Sequence, residues 1–255
     1  MCDFPSLCIS IGIPVHIRAF VCLILLTRCV VGQTAVDMAG ESHHKLLLEN
    51  DKVRAYLGTL PPRQETPLVE HKHNFLTVTL NDSEIVIWNQ GESPIMHFRF
   101  AQGEARFLMN GATRGMRNDS ETEYRNVTVE FLDPKVTSYG YQPNTGQWAY
   151  GSGVIPPPVD PKAHFNNEMD AGQAVIHDMQ LLSGEELRAT DKDAHIAAEL
   201  IIAVSDCDWR IPDKARIHKA SGEVWWLPGG RSGRMFNDGA SAARFLLIEF
   251  KESER

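Results

Sequence analysis

From residue 40 onward, apolar and polar positions alternate over short runs with a period of two. Residues 53–60 combine Val53, Ala55, Tyr56 and Leu57 with few charges and stop at Pro61 and Pro62, which reads as a strand. Residues 75–80 form a second run, closed by the turn pair Asn81 and Asp82. Runs at 84–88, 96–100, 105–109, 113–117 and 124–131 follow; in 96–100, Met96, Phe98 and Phe100 alternate with His97 and Arg99. The later half has the same texture at 175–182, 199–204, 216–219, 223–227 and 243–250, with Ser183–Gly184 and Ser205–Asp206 as turns. Helical periodicity is scarce: residues 194–200 could be argued helical, but the β-favouring run after them outweighs that. Short strands spaced roughly every 8–12 residues predict an all-β sandwich or barrel.

The pattern occurs twice. Gly103, Gly111, Asn118, Glu130 and Phe131 recur 119 residues later as Gly222, Gly230, Asn237, Glu249 and Phe250. An in-register repeat of this length predicts two similar halves, here residues 40–135 and 172–251. Residues 136–171 between them are rich in Pro, Gly, Tyr and Asn and read as a linker. The stretch is long for a plain connection, so part of it is expected to pack across one barrel.

Composition narrows the class. The 255 residues include 43% hydrophobic ones, enough for real cores, and the net charge is −8. No basic stripe is present, which argues against a nucleic-acid partner. Cys2, Cys8, Cys22 and Cys29 all lie before residue 33, leaving Cys207 alone in the rest of the chain. One thiol forms no internal disulfide and no Cys-rich metal site. Arg18 precedes an apolar run over 19–27, followed by Arg28, Cys29, Val30, Val31 and Gly32. A basic residue, a short apolar core and small residues read as a signal peptide over 1–32, cleaved after Gly32 or Ala35, and predict a secreted or periplasmic protein. The run is too short for a stable membrane span.

The doubled spacing of Gly103, Gly111 and Asn118, and of Gly222, Pro228, Gly230 and Asn237, resembles the second motif of the cupin superfamily. The first family motif, built on His-x-His and a Glu, has counterparts at His71 and His73 in one half and at Asp193, His195 and Glu199 in the other. The resemblance spans residues 45–133 and 172–251. It implies a bicupin: two tandem small β-barrels, each a double-stranded β-helix of jelly-roll type.

The candidate chemistry sits in those motifs. A spacing of two places His71 and His73 on one face of a strand, the geometry that a Zn, Fe, Mn or Cu site needs. The resemblance implies a Glu and a third His to complete it; Thr77 or Leu76 and Arg114 stand there instead. A fixed cation repels a divalent ion, although Glu65 or Glu70 could lend a carboxylate. A guanidinium in a barrel mouth is instead a bidentate receptor for carboxylate or phosphate, with His71 and His73 beside it. The alternative is an Arg114 paired with a nearby acid for structure alone. In the second half Asp193 replaces the first His, His195 and Glu199 match, and Gly233 replaces the third His, so Asp193, His195 and Glu199 form a weaker metal set. Asn118 and Asn237 read as turn residues, and His43, His44, His97, His164, His177 and His218 as exposed or structural.

Three functions fit. The chain is an exported protein that binds a small, anionic ligand in the first barrel without a complete metal site. Or it is a metal-dependent dioxygenase, decarboxylase or isomerase acting on a small organic molecule. Or it is a structural or storage-like double barrel. The cofactor is accordingly none or a divalent metal, the partner a small molecule, and edge strands suggest a homodimer.

Overall fold

The computed structural model describes residues 34–93, 96–137, 139–142, 147–150, 152–156, 165–187, 196–210, 216–229 and 235–252. The apolar run read as an export signal lies outside them. Residues Ala35–Arg255 form one compact unit. Its first half comprises β1 (Val36–Asp37), β2 (His44–Glu49), β3 (Val53–Leu60), β4 (Val69–Glu70), β5 (Asn74–Thr79), β6 (Ser83–Asn89), β7 (Met96–Phe100), β8 (Ala105–Leu108), β9 (Thr113–Asn118) and β10 (Tyr124–Phe131). The middle contains β11 (Tyr139–Gln142), β12 (Gln147–Tyr150), β13 (Ser152–Ile155) and β14 (Phe165–Ala171). The second half comprises β15 (Ala174–Leu181), β16 (Glu186–Leu187), β17 (Ile196–Ala203), β18 (Cys207–Arg210), β19 (Ile217–Lys219), β20 (Val224–Pro228), β21 (Met235–Asn237) and β22 (Ala243–Lys251). Among the described residues no helix is long and apolar enough to cross a membrane.

Each half is a pair of sheets. The first barrel joins the sheet β1-β4-β9-β6-β7 to the sheet β13-β8-β5-β10-β3-β2. The second joins β14-β15-β22-β17-β20 to β16-β21-β18-β19. Among the described residues every pairing is antiparallel except β1 on β4. The stretch expected to be a linker does more than connect. Its β13 extends a sheet of the first barrel against β8, and its β14 edges a sheet of the second against β15.

The repeat is repeated in bonds. Asn118 donates from Nδ2 to the carbonyls of Leu60 and Thr122, and Asn237 does the same to Leu181 and Ser241. Gly103 N–H donates to Thr79 O and Gly222 N–H to Ala203 O. Both asparagines tie a turn to a neighbouring strand, as a side-chain amide does when it satisfies backbone groups.

The largest core lies between the barrels. Val127, Val129 and Phe131 of β10 face outward, away from their own barrel, and join Leu246, Ile248 and Phe250 of β22 in one buried cluster. Two copy-related arginines then cross the seam reciprocally. Arg125 donates to Ser221 O at 3.1 Å, while Arg244 donates to Gln102 O at 2.9 Å and to Gly103 O at 3.1 Å. Arg244 is also held by Asp178 at 3.0 Å. Gly103 has φ 79°, and a Cβ there would stand 1.9 Å from the Arg244 guanidinium, so both the turn and the close approach require glycine.

Candidate functional site

The interior of the first barrel holds a cavity of about 380 Å³. Phe75, Ile87, Met96, Phe98, Phe100 and Met116 give it an apolar lining. His44, His71, Thr77, Arg114, Tyr124 and Asn126 bring polar groups to its wall. Strand alternation explains the set: Tyr124, Asn126 and Thr128 are the inward positions of β10, and their outward neighbours Val127 and Val129 belong to the seam.

Arg114 is the second residue of β9, opposite Val69 on one side and Asn89 on the other. Its Nε donates to Asn89 Oδ1 at 3.3 Å. Among the described residues no carboxylate lies within ion-pair distance of it, and burial lowers its pKa from the ordinary arginine value. The next residue, Gly115, lets Trp88 lie across the strand, since a Cβ there would come within 2.4 Å of the indole.

His71 follows β4. Its backbone N–H donates to Ala112 O at 2.9 Å, and its carbonyl accepts from Gly111 N–H at 2.8 Å. Gly111, a repeat glycine with φ 87°, thus pins the histidine beside the β8–β9 turn. The imidazole stacks on Phe75 with centroids 4.1 Å apart and planes 12° apart. Nδ1 is buried with no hydrogen-bond partner. Burial first, then the charge of Arg114, then His44, pull the His71 pKa down to about 4. At neutral pH the ring is therefore uncharged beside a permanent cation.

The structure brings His71 and Arg114 together and leaves His73 off the cavity lining. The expected alternation fails because residues 71–73 lie between β4 and β5 rather than along one strand. His73 instead faces the electrostatic environment of Glu130, whose pKa is raised by burial and lowered by the histidine. The strand register also equates Phe75, not Leu76 or Thr77, with Glu199: each lies opposite the repeated Glu130 or Glu249. The first barrel thus has an aromatic ring at that position.

Asp193 and His195 lie outside the described residues. Glu199 is buried in β17, opposite Glu249, which bonds His177 Nε2 at 3.0 Å. Among the described residues no group of three His, Cys, Asp or Glu side chains is placed to hold a metal ion. On the first barrel's wall the donor of His71 sits within the field of Arg114, so these residues do not fit a divalent cation.

Asn126, His44 and Tyr124 were not singled out as site residues from sequence. Asn126 Nδ2 donates to Thr77 Oγ1 at 3.1 Å and to Tyr124 OH at 3.2 Å, while its Oδ1 is buried without a partner. It fits because Gly58 opposite has no Cβ; one would stand 2.1 Å from that oxygen. The signal was present in the repeat: Asn126 and Thr128 stand where the second copy has Phe245 and Leu247. His44, read as exposed or structural, is a wall residue. Asn118 and Asn126, which carry glycosylation sequons, are buried and bonded within the fold.

No protein-family model matches the sequence, and no curated protein matches it. Solved structures do resemble the fold. The putative glyoxylate-induced protein from Pseudomonas aeruginosa is 15% identical with a TM-score of 0.53, over 83% of this chain and 80% of its own. AerE from Microcystis aeruginosa is 11% identical with a TM-score of 0.52, over 83% and 99%. Salicylate 1,2-dioxygenase from Pseudaminobacter salicylatoxidans is 11% identical with a TM-score of 0.51, over 82% and 77%. At these identities the likeness is one of fold: the chain is all-β, with two tandem jelly-roll barrels.

Proposed function

We propose that the first barrel is a receptor for a small organic acid, with the acid's carboxylate on Arg114 and its apolar body among Phe75, Phe98, Phe100 and Met116. One observation carries this reading: Arg114 lines an apolar cavity of about 380 Å³ and has no carboxylate partner among the described residues. A half-buried guanidinium without a counter-charge is costly, and an incoming carboxylate offsets that cost with two parallel N–H···O bonds. The volume falls in the range of small-molecule pockets, about 300–1,000 Å³. Neutral His71 adds a polar contact without adding charge. The lining favours an acid with an aromatic or branched body over acetate or formate.

The test is a thermal-shift and calorimetric panel of monocarboxylates from acetate to naphthoate, on the wild-type protein and on Arg114→Met. The expected result is a rise in melting temperature for the larger acids that disappears in the variant. An equal rise in both proteins would sink the reading. We propose further that the protein is exported, on the basic residue and apolar run before residue 33. N-terminal sequencing of the protein from its native host would contradict this if the chain still began at Met1.

A further inference from the structure

We propose that the acid held by Arg114 also carries a hydroxyl group, which His44 accepts; this rests on the receptor reading above. Glu41 follows the short 3-10 turn Met38–Gly40 and is 3% exposed. Its carboxylate is divided between two histidines: Oε1 meets His43 Nδ1 at 2.6 Å and Oε2 meets His44 Nδ1 at 2.6 Å. Oε2 also accepts the His43 backbone N–H at 2.9 Å. Burial is the largest influence on this carboxyl and opposes its charge, but the bonds from His44 and His43 outweigh it and hold its pKa below the ordinary value. An ionised carboxylate only accepts. In neutral His44 the proton therefore sits on Nδ1, and Nε2 is left as an acceptor.

The fold delivers that acceptor to the cavity. His44 lies opposite Gly58, and Gly58 lies opposite Asn126, so all three occupy the inward face of one sheet. Gly58 puts no side chain between the other two. His44 is part of the cavity wall, and among the described residues its Nε2 makes no hydrogen bond. Asn126 Oδ1, in the same row, is likewise without a donor. Arg114 comes from the other sheet of the barrel. One sheet offers a cation and the facing sheet offers an acceptor that lacks a donor, His44 Nε2. A ligand that satisfies both has an acid group at one end and an O–H donor at the other, across an apolar body: a hydroxy acid. Glu41 is a positioning residue in this arrangement, acting through His44.

The experiment uses matched pairs of acids: benzoate against its three monohydroxy isomers, and phenylacetate against mandelate. Each is titrated calorimetrically into the wild-type protein, His44→Phe and Glu41→Gln. At least one hydroxylated acid is expected to bind about 10-fold more tightly than its parent. In His44→Phe, which keeps an aromatic ring edge-on to Tyr56, the preference is expected to fall within about 2-fold. In Glu41→Gln the nitrogen-15 shifts of the His44 ring are expected to move toward the Nε2–H tautomer, with a smaller hydroxyl preference; a purely structural Glu41 would leave the tautomer unmoved. Equal affinities within every pair, or a preference that survives both variants, would overturn the inference and leave the Arg114 receptor standing. Failure of every acid to bind would take both down.

Discussion

Where the first barrel places Thr77, Asn126 and Thr128 on its inner face, the second places Ile201, Phe245 and Leu247. Where the first has Gly58, the second has Met179, and Trp209 stands in the position of Ile85. Among the described residues the second interior is one buried cluster that includes Met179, Ile201, Trp209, Phe245 and Leu247, with Trp209 edge-on to Phe245 at 4.8 Å. The first interior keeps its apolar residues in two small clusters around a space of about 380 Å³. Fully burying one large apolar side chain is worth about 1.5–3 kcal/mol. Several such exchanges make the second barrel the more stable partner and leave the first free to keep a void. The shared seam, with its reciprocal arginines, lets the filled barrel support the hollow one.

The most severe way to break that comparison is to hollow out the second barrel. Trp209→Ala removes the largest fully buried side chain and is expected to cost about 3–5 kcal/mol in chemical denaturation. Ile85→Ala, at the matching position of the first barrel, borders looser surroundings and is expected to cost about 2 kcal/mol. Equal losses would show that the two interiors contribute alike.

Much of this was legible in the sequence, because period-two alternation and turn residues report directly on strands that are half-buried. The runs at 53–60, 96–100 and 124–131 match β3, β7 and β10 residue for residue. The repeat shows in the bonds, because Gly103, Asn118 and their copies make the same ones in each half. The site was legible only in part. The places of Arg114 and His71 in the motif singled them out, and both line the cavity. His73 was assigned to a strand face that the chain does not form there. His44 was invisible, because its place on the cavity wall depends on Glu41 and on a strand pairing across Gly58, and neither leaves a periodic mark.

A milder change makes the first barrel resemble the second. Thr128→Leu installs the residue of the matching position, Leu247, on the cavity wall. It is expected to lower the affinity for the best-binding acid about 100-fold by occupying its space, while stability stays level or rises by about 1 kcal/mol from added apolar burial. Calorimetric titration and urea denaturation on the same sample separate the two effects. Loss of stability with binding intact would mean that this wall is already close-packed.

Acidity probes the hollow barrel alone. His71 has an ordinary value of 6.5 that its surroundings lower to about 4. Between those values the unfolded chain takes up a proton and the native one does not, so stability falls as pH drops from 6.5 to 4 and is flat for this group below that. The contribution is on the order of 2 kcal/mol, allowing for the solvent that reaches the ring. His71→Phe, which preserves the stack on Phe75, is expected to flatten the pH dependence of the urea midpoint over that window. An unchanged slope would place the acid sensitivity elsewhere.

The smallest and sharpest contrast uses one substitution at two equivalent sites. Glu130 and Glu249 are the same residue of the repeat, both buried. In the second barrel Glu249 meets His177 Nε2 at 3.0 Å; in the first, Tyr56 in the matching position reaches Glu130 only at 3.5 Å. Burial therefore raises the Glu130 pKa, so its charge costs stability at neutral pH, where the native state would hold the proton more tightly than the unfolded chain. Glu130→Gln removes that cost and is expected to stabilise by about 0.5 kcal/mol at pH 7, with the gain shrinking as pH falls toward the carboxyl's ordinary 4.5. Glu249→Gln weakens a bond that its partner needs and is expected to destabilise by about 1 kcal/mol. Opposite signs would show that the two copies kept a residue for different reasons. The same sign at both sites would mean that His177 and Tyr56 serve their carboxylates equally well, and the contrast between the two barrels would then rest on cavity volume alone.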